Sequence, residues 1–357
     1  WVADMDFATA PFVTDAIRKR CENEVLGYTG KPDSYYNAII NWVKQRYDLI
    51  LTKEVINFVP GIVPGIGMAM NCFTQKGDKV MIQPPVYHPF AWVTTRNERT
   101  LVINPLRWEN GMYRMDLDAF REQIKGCKLF ILCNPHNPGG VVWTEAELRA
   151  IADICYDEKV LVFSDEIHAD LTLPPHTHRP FATVSEKARM NSVTFMSPSK
   201  AFNMPGLSAS HALIFNEDLR KRFRIYMDAG ELDMGHVFAF LSVEAAYSHG
   251  TEWLDQCLAY IQGNIDFVDE FLKKHAPKIK AIRPEASYLV WLDCRELELS
   301  QKDLNEFFVD KAHLALNDGE MFGKEGIGFM RLNVASPRCI IEKAMKQLAD
   351  AYQLYIK

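Results

Sequence analysis

Three apolar runs in this chain end on side chains of complementary chemistry. Residues 129–133 lead into Asn134-Pro135-His136-Asn137-Pro138-Gly139-Gly140, residues 160–163 into Ser164-Asp165-Glu166-Ile167-His168, and residues 193–196 into Ser197-Pro198-Ser199-Lys200. In open α/β sheets ligands bind outside the carboxyl ends of the strands, so an amide, a carboxylate and an amine are aimed at one crevice. Lys200 read alone is a surface lysine. At a strand end, beside two serines and facing a carboxylate from the next strand, it can be desolvated and made nucleophilic, which imine formation with an aldehyde requires. Asp165 either caps the next helix, as many aspartates do after strands, or sits beside a pyridine nitrogen and keeps it protonated, so that the ring draws electrons from a carbanion. Asn137 is either a turn residue, since Asn-Pro-Gly is turn chemistry, or a donor to the phenolic oxygen of such a ring.

Further residues complete the set. Ser197 and Ser199 offer hydroxyls to a phosphate. Pro60-Gly61-Ile62-Val63-Pro64-Gly65 is a glycine turn opening an apolar helical stretch, where free amides at Ile62 and Val63 and the helix dipole attract an anion. Tyr87 follows the run at 79–83 and can stack on a flat ring or simply pack. Arg331, in the apolar run 328–333, needs a partner. Its planar fork matches a substrate carboxylate in two hydrogen bonds, the alternative being an internal salt bridge. His168 with Glu166 and Asp170 invites a metal reading, but that leaves Lys200 and both Asn-Pro motifs unexplained, so no metal is expected. His176 and His178 lie among prolines and read as loop.

The elements that must position these residues follow from periodicity. Continuous apolar runs at 79–83, 129–133, 160–164, 193–197 and 211–215 suit strands covered on both faces, as in a parallel sheet. Between two of them a helix from about Glu145 carries Leu148, Ile151, Ala152 and Cys155 on one face, opened by the capping box Thr144-x-x-Glu147. This βαβ unit predicts a doubly wound, mostly parallel α/β domain. From Trp253 onward Leu254, Cys257, Leu258, Ile261, Ile265, Val268 and Leu272 trace one face of a long connecting helix. Beyond it strands at 288–292 and 329–333 and a last helix with Ile340, Ile341, Met345, Leu348 and Tyr352 predict a small α+β unit. The expected division is a large domain over 28–255 and a small one over 1–27 and 256–357, with the N-terminal segment packing on the small unit or over the site.

Composition narrows the function classes. A chain of 357 residues, 48% hydrophobic and 24% charged with a formal net charge of -6, is an ordinary globular composition of a size that favours two domains. It shows no basic run, so nucleic acid is not expected as a partner. No apolar run approaches the roughly 18 residues of a membrane span. Eight scattered cysteines without metal-finger spacing point to reduced thiols in a cytoplasm. The chain begins at Trp1 rather than methionine, so an upstream stretch is expected.

Taken together, N-P-H-N-P-G-G, S-D-E-I-H, S-P-S-K and F-M-R-L-N resemble the fold-type I pyridoxal 5'-phosphate (PLP) enzymes of the class I/II aminotransferase superfamily. W-V-A-D-M-D-F at 1–7, G-Y-T-G at 27–30 and V-P-G-I-V-P resemble, more narrowly, the MalY/PatB group of cystathionine β-lyases and cystalysin-like carbon–sulfur lyases. The resemblance runs end to end. It implies that Lys200 carries PLP as an imine, Asp165 pairs with the ring nitrogen, Asn137 meets the phenolic oxygen, Tyr87 stacks on the ring and Arg331 binds the α-carboxylate. The cofactor-binding set is then Ile62, Val63, Tyr87, Asn137, Asp165, His168, Ser197, Ser199 and Lys200. A homodimer in which Tyr28 reaches the neighbouring subunit's phosphate is also implied. Two positions depart from related patterns: Ser208 stands where many aminotransferases have a phosphate-gripping arginine, and His88 where cystalysin-like enzymes have a second tyrosine. The expected activity is β-elimination from L-cystathionine, L-cysteine or related S-conjugates to thiol, pyruvate and ammonia. The rivals are aminotransfer, which shares the first carbanion, and a regulatory binding protein that keeps the cofactor.

Overall fold

The computed structural model describes residues 3–355; Trp1 and Val2 of the N-terminal motif lie outside the described residues. In chain order the strands are β1 (Ile56–Val59), β2 (Lys79–Ile82), β3 (Thr100–Ile103), β4 (Arg107–Glu109), β5 (Met112–Arg114), β6 (Cys127–Cys133), β7 (Leu161–Asp165), β8 (Ser192–Met196), β9 (Ser210–Leu213), β10 (Lys280–Ile282), β11 (Leu289–Asp293), β12 (Asn317–Asp318) and β13 (Phe329–Asn333). Seven of them form one sheet in the order β1-β9-β8-β7-β6-β2-β3. The five strands from β3 to β8 in that order run parallel.

The run at 211–215, read as another covered parallel strand, is instead β9, antiparallel to both β8 and β1. Parallel neighbours need a crossover, usually a helix. Residues 197–209 supply only a 3-10 turn at Pro205–Leu207, so the chain turns back beside β8.

The sheet is buried on both faces, as its apolar runs require. Along β6, Leu129, Ile131 and Cys133 join Ile66, Ala69 and Met70 of the helix Ile62–Phe73 in one core layer. Phe130 and Leu132 join Leu148, Ile151 and Cys155 of the helix Glu145–Asp157 in the other. The alternation is the period of two of a pleated strand. The capping box forms as expected: Thr144 Oγ1 accepts from the Glu147 amide at 3.2 Å, and the Glu147 carboxylate accepts from the Thr144 amide at 2.8 Å.

The second sheet, β10-β11-β13-β12, is antiparallel throughout. It shares a core with the helices Thr251–His275 and Arg338–Tyr355 through Val290, Leu292, Met330, Ile265, Val268 and Met345. The position expected to divide the domains falls inside the helix Thr251–His275. All eight cysteines are free thiols. Among the described residues no helix is long and apolar enough to cross a membrane.

Residues 3–9 form a strap tied to the second sheet and to the turn after β8 that carries Lys200. Asn203, just past Lys200, accepts from the Met5 amide and donates to the Met5 and Phe7 carbonyls. From the other side Asn333 at the end of β13 donates to the Asp4 carbonyl at 2.6 Å, and the Asp6 amide donates to the Ala335 carbonyl. The segment therefore touches the second sheet and the Lys200 turn at once.

Gly140 makes a second bridge. Its φ of +67° is in the left-handed region, and a Cβ there would lie 2.5 Å from Pro284. Only glycine permits that approach, through which the Gly140 carbonyl accepts from the amides of Glu285 and Ala286 and fixes the Asn137 loop against the second sheet.

Candidate active site

The loops that leave β2, β6, β7 and β8 meet in a cavity of about 360 Å³. Lys200, Asp165, Asn137, Tyr87, His168, Ser199, Ile62, Val63 and Arg331 all line it. Ser197 and Tyr28 do not. The Ser197 hydroxyl is turned into the protein, where it donates to the Ala209 carbonyl at 2.8 Å and accepts from the Ser199 amide at 3.1 Å. It brackets the turn that carries Lys200, so the hydroxyl expected to meet a phosphate is already committed, and Ser208 and Ser210 line the cavity instead. Tyr28 is 97% exposed and borders a separate surface pocket with Lys31 and residues 233–238.

Lys200 presents its amine to the cavity beside the strap. Nζ donates to the Ala3 carbonyl at 2.6 Å and lies 3.4 Å from the Asp4 carboxylate. Burial lowers its pKa, opposed by Asp4 and assisted by the Arg331 charge. The neutral, nucleophilic amine is thereby made more accessible at physiological pH. Tyr288 donates to the same Ala3 carbonyl at 2.7 Å, so a backbone group from the chain's start fixes both.

Asp165 both caps a turn and faces the cavity. One carboxylate oxygen accepts from the Ile167 amide at 3.1 Å, just after β7. The side chain lines the cavity as well, and among the described residues no lysine, arginine or histidine forms an ion pair with it. Burial pushes its pKa up to about 7, with the neighbouring Glu166 charge adding to the rise. A buried acid in that condition calls for a cation in the cavity, and a protonated ring nitrogen is one.

Arg331 is the complementary case. It is 4% exposed, with NH1 donating to Asn137 Oδ1 at 3.0 Å and NH2 to Asn317 Oδ1 at 2.9 Å. Its guanidinium lies over the Phe322 ring. Both partners are neutral amides, Nε has no partner, and among the described residues no carboxylate pairs with it. The internal salt bridge left open by the sequence is therefore not what this strand makes. Burial lowers its pKa to about 10, which still leaves a full positive charge facing the cavity.

The remaining walls are neutral or donate. The helix Ile62–Phe73 starts at Gly61, whose φ is +153°, with no side chain capping its first amides. Those amides lack intrahelical acceptors and form an anion cradle at Ile62 and Val63. Asn137 keeps its Nδ2 for the cavity while Oδ1 serves Arg331. His168 and His88 are held neutral by burial, with pKa values down to about 3 and about 4, and each leaves a buried Nδ1 without a partner. An uncapped cradle, an unpaired acid and an amine on one cavity are donors and acceptors that fit a phosphorylated pyridine aldehyde.

Several functional positions carry no signal in sequence. Ala3 acts through its backbone carbonyl, which no side chain announces. His178, read as loop, is buried and paired with Glu166 at 2.8 Å. Only the spacing of Glu166 from a histidine twelve residues on could have hinted at it.

A doubly wound sheet with an amine at one strand end and an acid at the next defines a cofactor-dependent enzyme of amino-acid chemistry. The chain belongs to the aminotransferase class I and II family, whose sequence profile matches residues 2–348. It is 37% identical to "Cystathionine beta-lyase PatB" of Bacillus subtilis, over 98% of this chain and 91% of that protein. A PLP-bound putative aminotransferase from Clostridium difficile superposes with a TM-score of 0.96 at 41% identity, covering 99% of this chain and 91% of that one. Cystalysin from Treponema denticola, which contains PLP, superposes with a TM-score of 0.96 at 34% identity, covering 100% and 91%. The architecture is fold type I, as expected from the motifs.

Proposed function

We propose that this enzyme is a PLP-dependent carbon–sulfur β-lyase acting on L-cystathionine, L-cysteine or related S-conjugates. The observation that carries the reading is the trio on one cavity: the Lys200 amine, the buried Asp165 and the buried Arg331, which among the described residues have no cation and no carboxylate, respectively, as ion-pair partners. The reaction class follows the cystathionine β-lyase and cystalysin relatives.

Each residue then has a task. The Ile62 and Val63 amides with Ser199 would hold the phosphate, Tyr87 would flank the ring, and Asn137 Nδ2 would donate to its phenolic oxygen. Asp165 would keep a proton on the ring nitrogen, and His168, a neutral donor or acceptor, lines the same cavity. When bound, PLP accepts the electron pair left at the substrate's α-carbon. Arg331 grips the α-carboxylate, which presents the α-hydrogen to Lys200 Nζ as general base. Loss of that proton lets the Cα–Cβ double bond form as the Cβ–S bond breaks, and sulfur leaves with its electron pair as thiolate. Addition of one water then yields pyruvate and ammonia.

Purified protein given PLP and L-cystathionine, with no keto acid, is expected to release homocysteine and pyruvate in equal amounts. Turnover that appears only when a keto-acid acceptor is added identifies an aminotransferase and sinks the lyase reading.

The reading extends to a homodimer. Val25, Leu26 and Tyr28 are all strongly exposed in one segment, which leaves Tyr28 available to a neighbouring subunit, where it would serve that subunit's phosphate. Light scattering is expected to give twice the chain mass; a fully active monomer contradicts it.

A further inference from the structure

Behind Asp165 lies a second carboxylate that the mechanism above does not use. Successive side chains of a strand point to opposite faces, so at the end of β7 Asp165 faces the cavity and Glu166 faces inward. Glu166 is 1% exposed. Three donors hold its carboxylate, each at 2.8 Å: the Ser164 hydroxyl, the Phe181 amide and His178 Nε2. His178 Nδ1 is buried without a partner. A doubly protonated imidazole would leave an N–H unpaired in the interior, whereas the neutral Nε2–H tautomer leaves only a lone pair. The proton arrangement that satisfies most groups is therefore neutral His178 and ionised Glu166.

The groups around the pair carry charge of both signs, and among the described residues none of the cations contacts Glu166. Asp170 lies on the same turn, accepting from Trp42 Nε1 and from the Tyr47 hydroxyl. Tyr47 meets the His178 ring edge-on at 5.5 Å. Lys200 and Arg331 line the same cavity as Asp165, and Arg46, on the helix Asp33–Tyr47, packs its guanidinium over the Trp42 ring. Among the described residues no lysine or arginine forms an ion pair with Asp165, Glu166 or Asp170.

We propose that Glu166 is a positioning residue that fixes the protonation of the cofactor's ring nitrogen: its buried negative charge, held by Ser164, Phe181 and His178, backs Asp165 and makes removal of the ring proton costly. The inference rests on the PLP reading above. It gives the buried histidine pair a role in catalysis, because ring protonation sets how strongly the electron pair at the α-carbon is drawn.

The test is nitrogen-15 NMR of holoenzyme reconstituted with ring-15N PLP, together with cofactor titration of the apoprotein. Wild type is expected to keep the ring nitrogen protonated across its stable pH range. Glu166→Gln, which keeps the shape and removes the charge, is expected to lower the pH at which that nitrogen loses its proton and to weaken PLP binding about tenfold. If Glu166→Gln does not accumulate as folded holoenzyme, Ser164→Ala carries the test. It withdraws one donor that favours the ionised carboxylate, so Glu166 takes up a proton more readily and the same shift is expected at the acid end of the stable range. A folded variant whose nitrogen resonance and PLP affinity match wild type overturns the inference. A wild type that takes up no PLP overturns the proposed function instead.

Discussion

Lys200→Ala is expected to abolish pyruvate release from L-cystathionine, by about a thousandfold or more, while the chain stays folded and still takes up PLP. The size follows from two losses at one atom. Nζ is the only amine lining the cavity among the described residues, so no other group there can bond covalently to the cofactor's aldehyde carbon. The same atom supplies general-base catalysis, which alone is worth about 10²–10⁴ in rate. Uptake survives because the phosphate cradle at Ile62 and Val63, the acid at Asp165 and the amide at Asn137 are untouched. Structural cost is modest, since the substitution removes one hydrogen bond to Ala3 and an ion pair with the half-exposed Asp4, the latter worth little in water. Borohydride reduction followed by mass spectrometry separates the two roles: wild type retains the cofactor covalently and the variant does not. Pyruvate release by Lys200→Ala at the wild-type rate would remove Lys200 from the chemistry.

How much of this is legible in sequence depends on the length of the signal. The runs that become β6, β7 and β8 are long, apolar and end on unusual polar residues, so both the strands and the convergence of their ends can be read. The strands β1 and β3 have four residues each and lie at the sheet's edges. β1 carries Asn57, which donates to the Val55 and Ala212 carbonyls, and a run that short and broken gives no periodicity. β10 and β12 are shorter still. The direction of β9 depends on what its connection lacks, which an apolar run cannot report.

The site divides in the same way. Residues whose chemistry is local to a motif, such as Lys200 and Asp165, stand out in the sequence and line the cavity. Ser197 stands out equally but meets a different partner, because a serine beside an invited phosphate looks the same whether its hydroxyl faces the cavity or the Ala209 carbonyl. The strap's role over Lys200 rests on contacts nearly two hundred positions apart. Side-chain type does not encode such a contact. It emerges only when Asn203 and Asn333 are seen to hold the same segment.

Replacing Arg331 tests the other half of the mechanism, that binding energy at the carboxylate orients the α-carbon. Two charge-assisted hydrogen bonds in a desolvated site are worth about 1.5–3 kcal/mol each. Arg331→Lys keeps the charge but replaces the planar fork with a point donor on a different stem. About 3 kcal/mol of carboxylate recognition is then expected to vanish, roughly a hundredfold in kcat/KM. The neighbours amplify the effect: Asn137 Oδ1 and Asn317 Oδ1 are spaced for two guanidinium nitrogens, and the Phe322 ring packs against the guanidinium plane. A lysine satisfies one amide and leaves the other without its guanidinium donor. That local damage must be told apart from lost substrate contact, and a substrate change does so. An S-alkyl cysteamine, which is an S-alkyl cysteine without its carboxylate, binds wild type without using Arg331. The wild-type enzyme is expected to lose about as much kcat/KM on removal of the carboxylate as on Arg331→Lys, and the variant to lose little more when both are removed. Full additivity of the two losses would mean that Arg331 acts on the fold of β13 rather than on the substrate, and the carboxylate would then need another anchor.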